Sequence, residues 1–412
     1  MSDKPLIKFG SSELKSLLIA KYLMTDNHVE IVDCNKSFSF DNSFIFEEKS
    51  FDVGCHIVDV GRSPVYTDIL TSLDIEWFKS PSTRSLVFNG KKFKRGYDFA
   101  EIQGDFSSEN RKVFQSEFLT KLEAIYGSDF IKFSIENIAK SYVQNELWIE
   151  DNLSAEIILT NIYPWFFPLT PEDPQGSLNK TRPHFHNHMI EDNVVMYPKE
   201  GSFMAITHAA RKAVKELISE ADDSSYQVAV FDSDGKIDVE ENTYHVLPID
   251  YIDVASRFNL EFPDYTETHF YLISVVLDNP INFDEHEILV GDTDYYVDRV
   301  STPDSFSGKD EITSLQFECE TLFHTDEYKL IENIKSFTAK FLENASWDKY
   351  DIKATKLKRY NTQGIDEKIN KILDFVESKN PQVIVLNRHI AYNNLTGSVE
   401  NLITRINRVI QL

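Results

Sequence analysis

Near the start of the chain the hydrophobic pattern changes period in a set order. Residues 5–10 (Pro-Leu-Ile-Lys-Phe-Gly) form a short apolar run, residues 11–23 repeat apolar side chains at intervals of three and four, and residues 28–33 (His-Val-Glu-Ile-Val-Asp) alternate. This order predicts a strand, a helix and a second strand, a βαβ unit whose second strand ends on an acid. Residues 51–59 alternate apolar and polar positions and lead into a predicted helix over 63–73. At the far end, residues 381–386 read as an apolar strand, residues 387–398 as the polar segment after it, and the remainder as a helix that closes the chain.

Between these ends the periods separate into blocks. Residues 109–126 and 134–148 carry the helical repeat and predict a helical insertion, whereas residues 170–190, rich in Pro, Asn, Thr and His, predict a loop. Residues 194–201 precede a predicted helix over 203–219, and alternating residues at 226–231, 236–239 and 244–247 predict a small β-meander. A β-rich block follows, with strands expected at 269–277, 287–291, 295–300 and 314–320.

Composition fixes the setting. With 412 residues, 42% apolar and 13% aromatic, the chain has the makings of a folded protein of two or three domains. A formal charge of −25 argues against a general nucleic-acid or anionic-membrane partner, because either needs a basic footprint. Cys34, Cys55 and Cys319 lie far apart and without CxxC spacing, so neither a disulfide framework nor a zinc ribbon is indicated and a cytoplasmic setting suits them. The sequence has no secretory leader pattern and no apolar stretch long enough to span a bilayer.

The chemistry of the first βαβ unit turns on its glycines. A dinucleotide loop of the GxGxxG type uses one glycine for a tight turn, one for close approach to the diphosphate and one for helix packing. Gly10 supplies the first; Ser12 stands at the second, and Lys15 at the third, or Ser16 if the loop is one residue longer. The N–H groups of a helix start still attract an anion, Ser11 and Ser12 border it, and Asp33 stands where an acid accepts hydrogen bonds from a ribose. The alternative is an ordinary buried βαβ unit in which Ser11 or Ser12 caps the helix. His184, His186 and His188 share one side of an extended segment, but they follow a Pro-rich loop with no accompanying acids, and no metal is expected there.

These segments, in this order, resemble the flavoprotein group that includes UDP-galactopyranose mutase and the protoporphyrinogen-oxidase or amine-oxidase-like enzymes. Gly54-Cys55-His56-Ile57-Val58-Asp59 is similar to the mutase's G-x-H-x-F-H run, with Asp59 in place of the second histidine. Residues 85–93, containing Asn89-Gly90-Lys91, look like the strand pair leading into the helical domain, and Tyr197-Pro198-Lys199-Glu200-Gly201 is similar to the family's Y-P-x-x-G. Tyr296-Val297-Asp298-Arg299-Val300 followed by Glu318 resembles its T-R-I and later E, and Asn387-Arg388 with Tyr392 its closing G-R-x-x-x-Y. The closing D-M-D is Thr396-Gly397-Ser398 here, the glycine before Arg388 is Asn387, and the double glycine after the acid of the second strand is absent from residues 34–46.

The resemblance implies an α/β, Rossmann-like FAD/NAD(P)-binding fold with a helical insertion and a β-rich substrate domain. The flavin-binding part comes from residues 1–100, 191–255 and 365–412, the insertion from 101–190 and the substrate domain from 256–364. It implies FAD as cofactor, held weakly given the departures, with Gly10, Ser11, Ser12, Asp33, Gly54, Arg388, Tyr392 and Gly397 as cofactor contacts. His56 stands at the flavin edge, and Arg299 and Arg388 face the phosphates of a nucleotide sugar or related anion, with mutase and oxidase chemistry both open. By their residue types alone, the two arginines are equally suited to holding carboxylates. A homodimer and a place in surface-polysaccharide biosynthesis are further implications. The alternative is a degenerate member that keeps the fold without flavin and serves as a binding or scaffold protein.

Overall fold

The computed structural model describes residues 5–33, 43–53, 58–60, 64–81, 83–88, 91–94, 194–220, 231–238, 243–262, 265–283, 285–290, 294–321, 324–360, 365–386 and 395–410. The elements of the first half are β1 (Leu6–Phe9), α1 (Leu14–Leu23), β2 (His28–Asp33), β3 (Ser43–Phe46), β4 (Lys49–Asp52), β5 (Val58–Asp59), α2 (Pro64–Thr71), β6 (Trp77–Pro81), β7 (Arg84–Phe88) and β8 (Lys91–Lys94). After residues 95–193, on which the expected helical insertion over 101–190 falls and which lie outside the described residues, come β9 (Val194–Pro198), α3 (Ser202–Ala213), β10 (Ile218–Glu220), β11 (Thr243–Leu247), α4 (Tyr251–Phe258), β12 (Tyr265–Ile281), β13 (Glu287–Val290) and β14 (Val297–Ser301). The chain ends with α5 (Pro303–Phe306), β15 (Ile312–Thr321), α6 (Glu327–Phe341), β16 (Lys349–Tyr360), α7 (Ile365–Lys379), β17 (Val383–Val385) and α8 (Leu395–Ile410).

Five of these strands form one sheet in the order β10-β2-β1-β11-β17, and every pairing in it is parallel. The two ends of the chain thus meet in one sheet, as the resemblance implies. Parallel neighbours need a crossover, and α1 supplies the one between β1 and β2. Its stripe of Leu14, Leu17, Leu18 and Leu23 is buried in a core shared with Ile7 and Phe9 of β1, Phe203 and Ile206 of α3, and Val399, Leu402 and Ile406 of α8. On the other side, α4 and α7 bury Val254, Ile372, Leu373 and Val376 with Val385 of β17. Asp250 starts α4 by accepting from the N–H groups of Ile252 and Asp253, and Asn259, in the left-handed region at φ 53°, ends it.

A second sheet has seven strands in the order β16-β12-β15-β14-β13-β7-β8, with β13 and β7 its parallel pair. Side chains alternate across a strand, so β12 and β15 present two different faces. Tyr271, Ile273, Val275, Leu315, Phe317 and Cys319 point to α6 and pack on its Leu330, Ile334, Phe337 and Phe341. The intervening Ser274, Gln316, Glu318 and Glu320 form an opposite face that is polar and also buried.

Several sequence expectations change. The helix expected over 203–219 stops at Ala213, because Ile218–Glu220 is the edge strand β10 beside β2. The expected meander is absent: Phe231 bridges Ile237, while Thr243–Leu247 enters the parallel sheet between β1 and β17. Alternation alone does not say which sheet a strand joins. β7 and β8, within residues 1–100, belong to the large sheet, while α6 and β16 lie inside the expected 256–364 block as its covering helix and edge strand. The closing helix begins at Leu395, so Thr396, Gly397 and Ser398 lie in its first turn and not in the segment before it.

Two smaller sheets, β3-β4 and β5-β9-β6, lie between the large sheet and α3, which packs on the parallel sheet, and specific polar and aromatic contacts join them. Asp52, buried at the end of β4, accepts from Ser43 Oγ (2.6 Å), from the hydroxyl of Tyr197 on β9 and from the N–H of Phe203 in the first turn of α3 (3.0 Å). Its carbonyl accepts from Gln316 Nε2 of the large sheet (2.7 Å). Nearby, Gly308 sits at φ +79° with the Phe78 ring of β6 against it, and a Cβ there would lie 2.5 Å from Phe78 Cδ2. Gly308→Ala therefore combines left-handed strain with a steric overlap and is expected to cost about 2–4 kcal/mol, read as a lower urea midpoint at unchanged slope. A cost below about 0.5 kcal/mol would mean that Phe78 does not pack there.

Candidate nucleotide site and the buried polar face

In an open parallel sheet, ligands bind beyond the carboxyl ends of the strands where the strand order reverses. Here that point lies between β1, whose crossover leads to β2, and β11 on its other side. Gly10 follows β1 and donates its N–H to the carbonyl of Val246 (3.0 Å), which holds the edge closed in register. Ser11 Oγ accepts from the N–H of Glu13 (3.2 Å), and α1 begins one residue later. The start of α1 therefore faces this edge, with the partial positive charge of a helix N-terminus. Asp33 ends β2 on the same edge, opposite Glu220 of β10.

Gly10, Ser11, Ser12 and Asp33 are thus brought to one edge. Gly397 is in the first turn of α8. Gly54, His56, Arg388 and Tyr392 lie outside the described residues, as do the histidines at 184, 186 and 188.

Whether this edge fits the diphosphate of FAD depends on the turn between β1 and α1. The helix start and the acid of β2 suit the diphosphate and a ribose. Ser12 and Lys15 place side chains where glycines would leave room, and Ser16, fully buried in α1, is the small residue at which the helix packs into the core. Glu13 is the residue immediately before α1, yet its carboxylate caps none of the helix's own N–H groups. Burial pushes the Glu13 carboxyl above its ordinary range, with Lys15 opposing that, and burial pushes the Lys15 ammonium down, with Glu13 opposing. The edge therefore keeps the helix start and the acid of a dinucleotide cradle, with the side chains of Ser12 and Lys15 in place of two glycines.

Arg299 is placed elsewhere, on the polar face of the large sheet. It lies opposite Glu318 in the β14–β15 register, its Nη2 is 2.6 Å from Glu318 Oε1, and its Nη1 is 3.7 Å from Glu287 Oε2. Both carboxylates are almost fully buried. Two acids against one guanidinium leave little positive charge for a phosphate, which favours the carboxylate-holding role for this arginine. The face continues with Glu320, which accepts from Thr268 Oγ1 (2.5 Å), and with Glu285, held by Ser85 Oγ (2.6 Å) and Lys92 Nζ (2.9 Å). Sequence reading found Glu318 but not Glu285, Glu287 or Asp52, because their partners come from distant parts of the chain and no local spacing announces them. Among the described residues no group of histidines, cysteines and acids is arranged for a metal, and no helix is long and apolar enough to cross a membrane.

No protein-family model and no curated protein matches this chain in sequence. Solved structures do match in fold. A reduced UDP-galactopyranose mutase is similar over 100% of this chain and 94% of its own, at 13% identity and a TM-score of 0.65. An Exiguobacterium protein described as a protoporphyrinogen oxidase is similar over 100% and 99%, at 14% identity and a TM-score of 0.63. A putrescine oxidase variant is similar over 99% and 98%, at 10% identity and a TM-score of 0.55. The end-to-end parallel sheet, the switch point at β1 and these likenesses identify the fold of this chain as the one shared by the UDP-galactopyranose mutase and the two oxidases.

Proposed function

We propose that this chain is a cytoplasmic flavin-dependent enzyme that holds FAD weakly at the carboxyl edge of its parallel sheet and acts on a nucleotide sugar or related anion. The observation that carries the reading is the edge itself, where Gly10, the start of α1 and Asp33 meet at the topological switch point. In this reading the free N–H groups at the start of α1 hold the diphosphate, and Asp33 accepts from a ribose hydroxyl. FAD, when bound, supplies either a hydride acceptor or, once reduced, a nucleophile toward a sugar carbon. The polar face of the large sheet supplies hydrogen-bonding side chains fixed by one another, with Arg299 positioning Glu318 and Glu287. The nucleotide-sugar substrate and the surface-polysaccharide setting come from likeness to the mutase and stand on that alone.

A second reading, a binding protein of the same fold without flavin, draws on the side chains of Ser12, Glu13 and Lys15 at the cradle. Adding FAD to purified protein separates the two. A ligand held only by the folded state stabilises it by about 2 kcal/mol at roughly 30 times its Kd, so the flavin reading expects Tm to climb steadily with FAD. Colourless protein whose Tm does not move at millimolar FAD would leave only the binding-protein reading.

A further inference from the structure

His286 stands just before β13, almost fully buried, where the β5-β9-β6 sheet, the large sheet and α5 meet. Its Nδ1 accepts from the backbone N–H of Thr83 (2.9 Å) and lies 2.6 Å from the Thr83 hydroxyl, which itself accepts from the His286 N–H (3.2 Å). Its Nε2 is 3.1 Å from Ser80 Oγ on β6, and its ring stacks on Phe306 of α5 with centroids 5.5 Å apart and planes at 7°. A ring nitrogen that accepts from an amide carries no proton, so this geometry fixes the neutral imidazole with its hydrogen on Nε2, toward Ser80. A hydroxyl can turn to meet a new proton, but a backbone N–H cannot, and a proton on Nδ1 would face the Thr83 N–H directly. Phe306 also packs on Tyr197, a donor to Asp52, which connects the ring to the joint between the sheets.

We propose that His286 is an acid-sensitive catch, which fastens β6 and α5 to the large sheet while its ring is neutral and releases them when the ring takes a proton. The charged groups on the surrounding elements are Lys79 on β6, Arg84 on β7, Glu285 and Glu287 on either side of it, Asp298 and Arg299 further along β14, and Asp304 on α5. Lys79 is exposed, and Arg84 opposes Glu287 in the β7–β13 register. Glu285 is held by Ser85 and Lys92, Glu287 faces Arg299, and Asp304 accepts from Lys309 Nζ (2.7 Å), Thr313 and Ser314. These carboxylates are committed to other donors, while two hydroxyls, one amide and a phenyl ring fix the imidazole. An imidazole in water takes its proton at about pH 6.5. The closed form excludes that proton and the open form accepts it, so closure is fully present above this pH and weakens about tenfold for each unit below it.

The test combines nitrogen NMR of the full chain carrying ring-labelled histidine with amide hydrogen exchange at about pH 7.5 and about pH 5.5, corrected for intrinsic rates. In His286→Asn the side-chain oxygen keeps an acceptor near the position of Nδ1 and takes no proton. The ring signal lost in that variant belongs to His286, and in wild type it is expected to show Nδ1 bare at both pH values. Wild type is expected to lose about tenfold protection in residues 77–81 and 303–308 at the lower pH, relative to α1, and H286N no more than about twofold. If H286N does not fold, Phe306→Leu identifies the ring signal by removing the ring current on it, and the two wild-type readings decide. A proton on Nδ1 in the folded protein at either pH, a wild-type loss under about threefold, or equal losses in wild type and H286N overturns the proposal.

Discussion

Asp52→Ala is expected to destabilise the folded protein by about 3–5 kcal/mol, one of the two largest effects expected here. The carboxylate gathers the Ser43 hydroxyl, the Tyr197 hydroxyl and the Phe203 N–H, three donors from β3, β9 and the start of α3. Hydrogen bonds to a charged group contribute about 1.5–3 kcal/mol each, and truncation to alanine also leaves the donors without the acceptor that the fold placed for them. The loss further removes an anion from the positive end of α3. Urea denaturation should show a lower midpoint, and Asp52→Asn should lose less, because a carboxamide keeps one acceptor oxygen while replacing the other by a donor. A cost near 0.5 kcal/mol would mean that Asp52 is not the joint between the sheets.

Arg299→Met is expected to cost a similar 3–5 kcal/mol, for a different reason. The methionine fills most of the space of the arginine stem, so the loss is chiefly electrostatic. Glu318 and Glu287, both almost wholly buried, are left without their shared guanidinium. Adding Glu318→Gln to Arg299→Met should recover part of the stability, since one of the two stranded carboxylates is then neutral. An Arg299→Met protein of wild-type stability that had lost affinity for a nucleotide sugar would reassign the residue from holding carboxylates to holding phosphate.

How much of this was legible in the sequence follows the range of the interactions. The βαβ unit at residues 5–33 was readable because strand and helix periods are local, and Leu14, Leu17, Leu18 and Leu23 fall on the face that α1 buries. That the strand at 383–385 joins the same sheet came from resemblance, since no period in residues 381–386 says what they pair with. Thr243–Leu247 shows the limit. Its alternation identifies a strand, but only the room between β1 and β17 makes it a central parallel strand instead of part of a meander. The candidate site divides in the same way. Gly10, Ser11, Ser12 and Asp33 were found because a loop between two strands has a fixed geometry, whereas Glu285 and Asp52 appear only once the fold brings Lys92 and Tyr197 to them. Arg299 was singled out by motif, and the register shows what it faces, Glu318 directly across the β14–β15 pair.

The central claim is that a dinucleotide site lies at the switch point between β1 and β11. Amide hydrogen exchange with and without saturating FAD tests it most directly, because protection reports which backbone groups the ligand covers or steadies. The account predicts slowed exchange in residues 11–17, where the turn enters α1, and at the end of β2 near Asp33, with the helix α6 on the far face of the large sheet unchanged. Protection confined to other parts of the chain, with residues 11–17 exchanging at the same rate in both states, would contradict it.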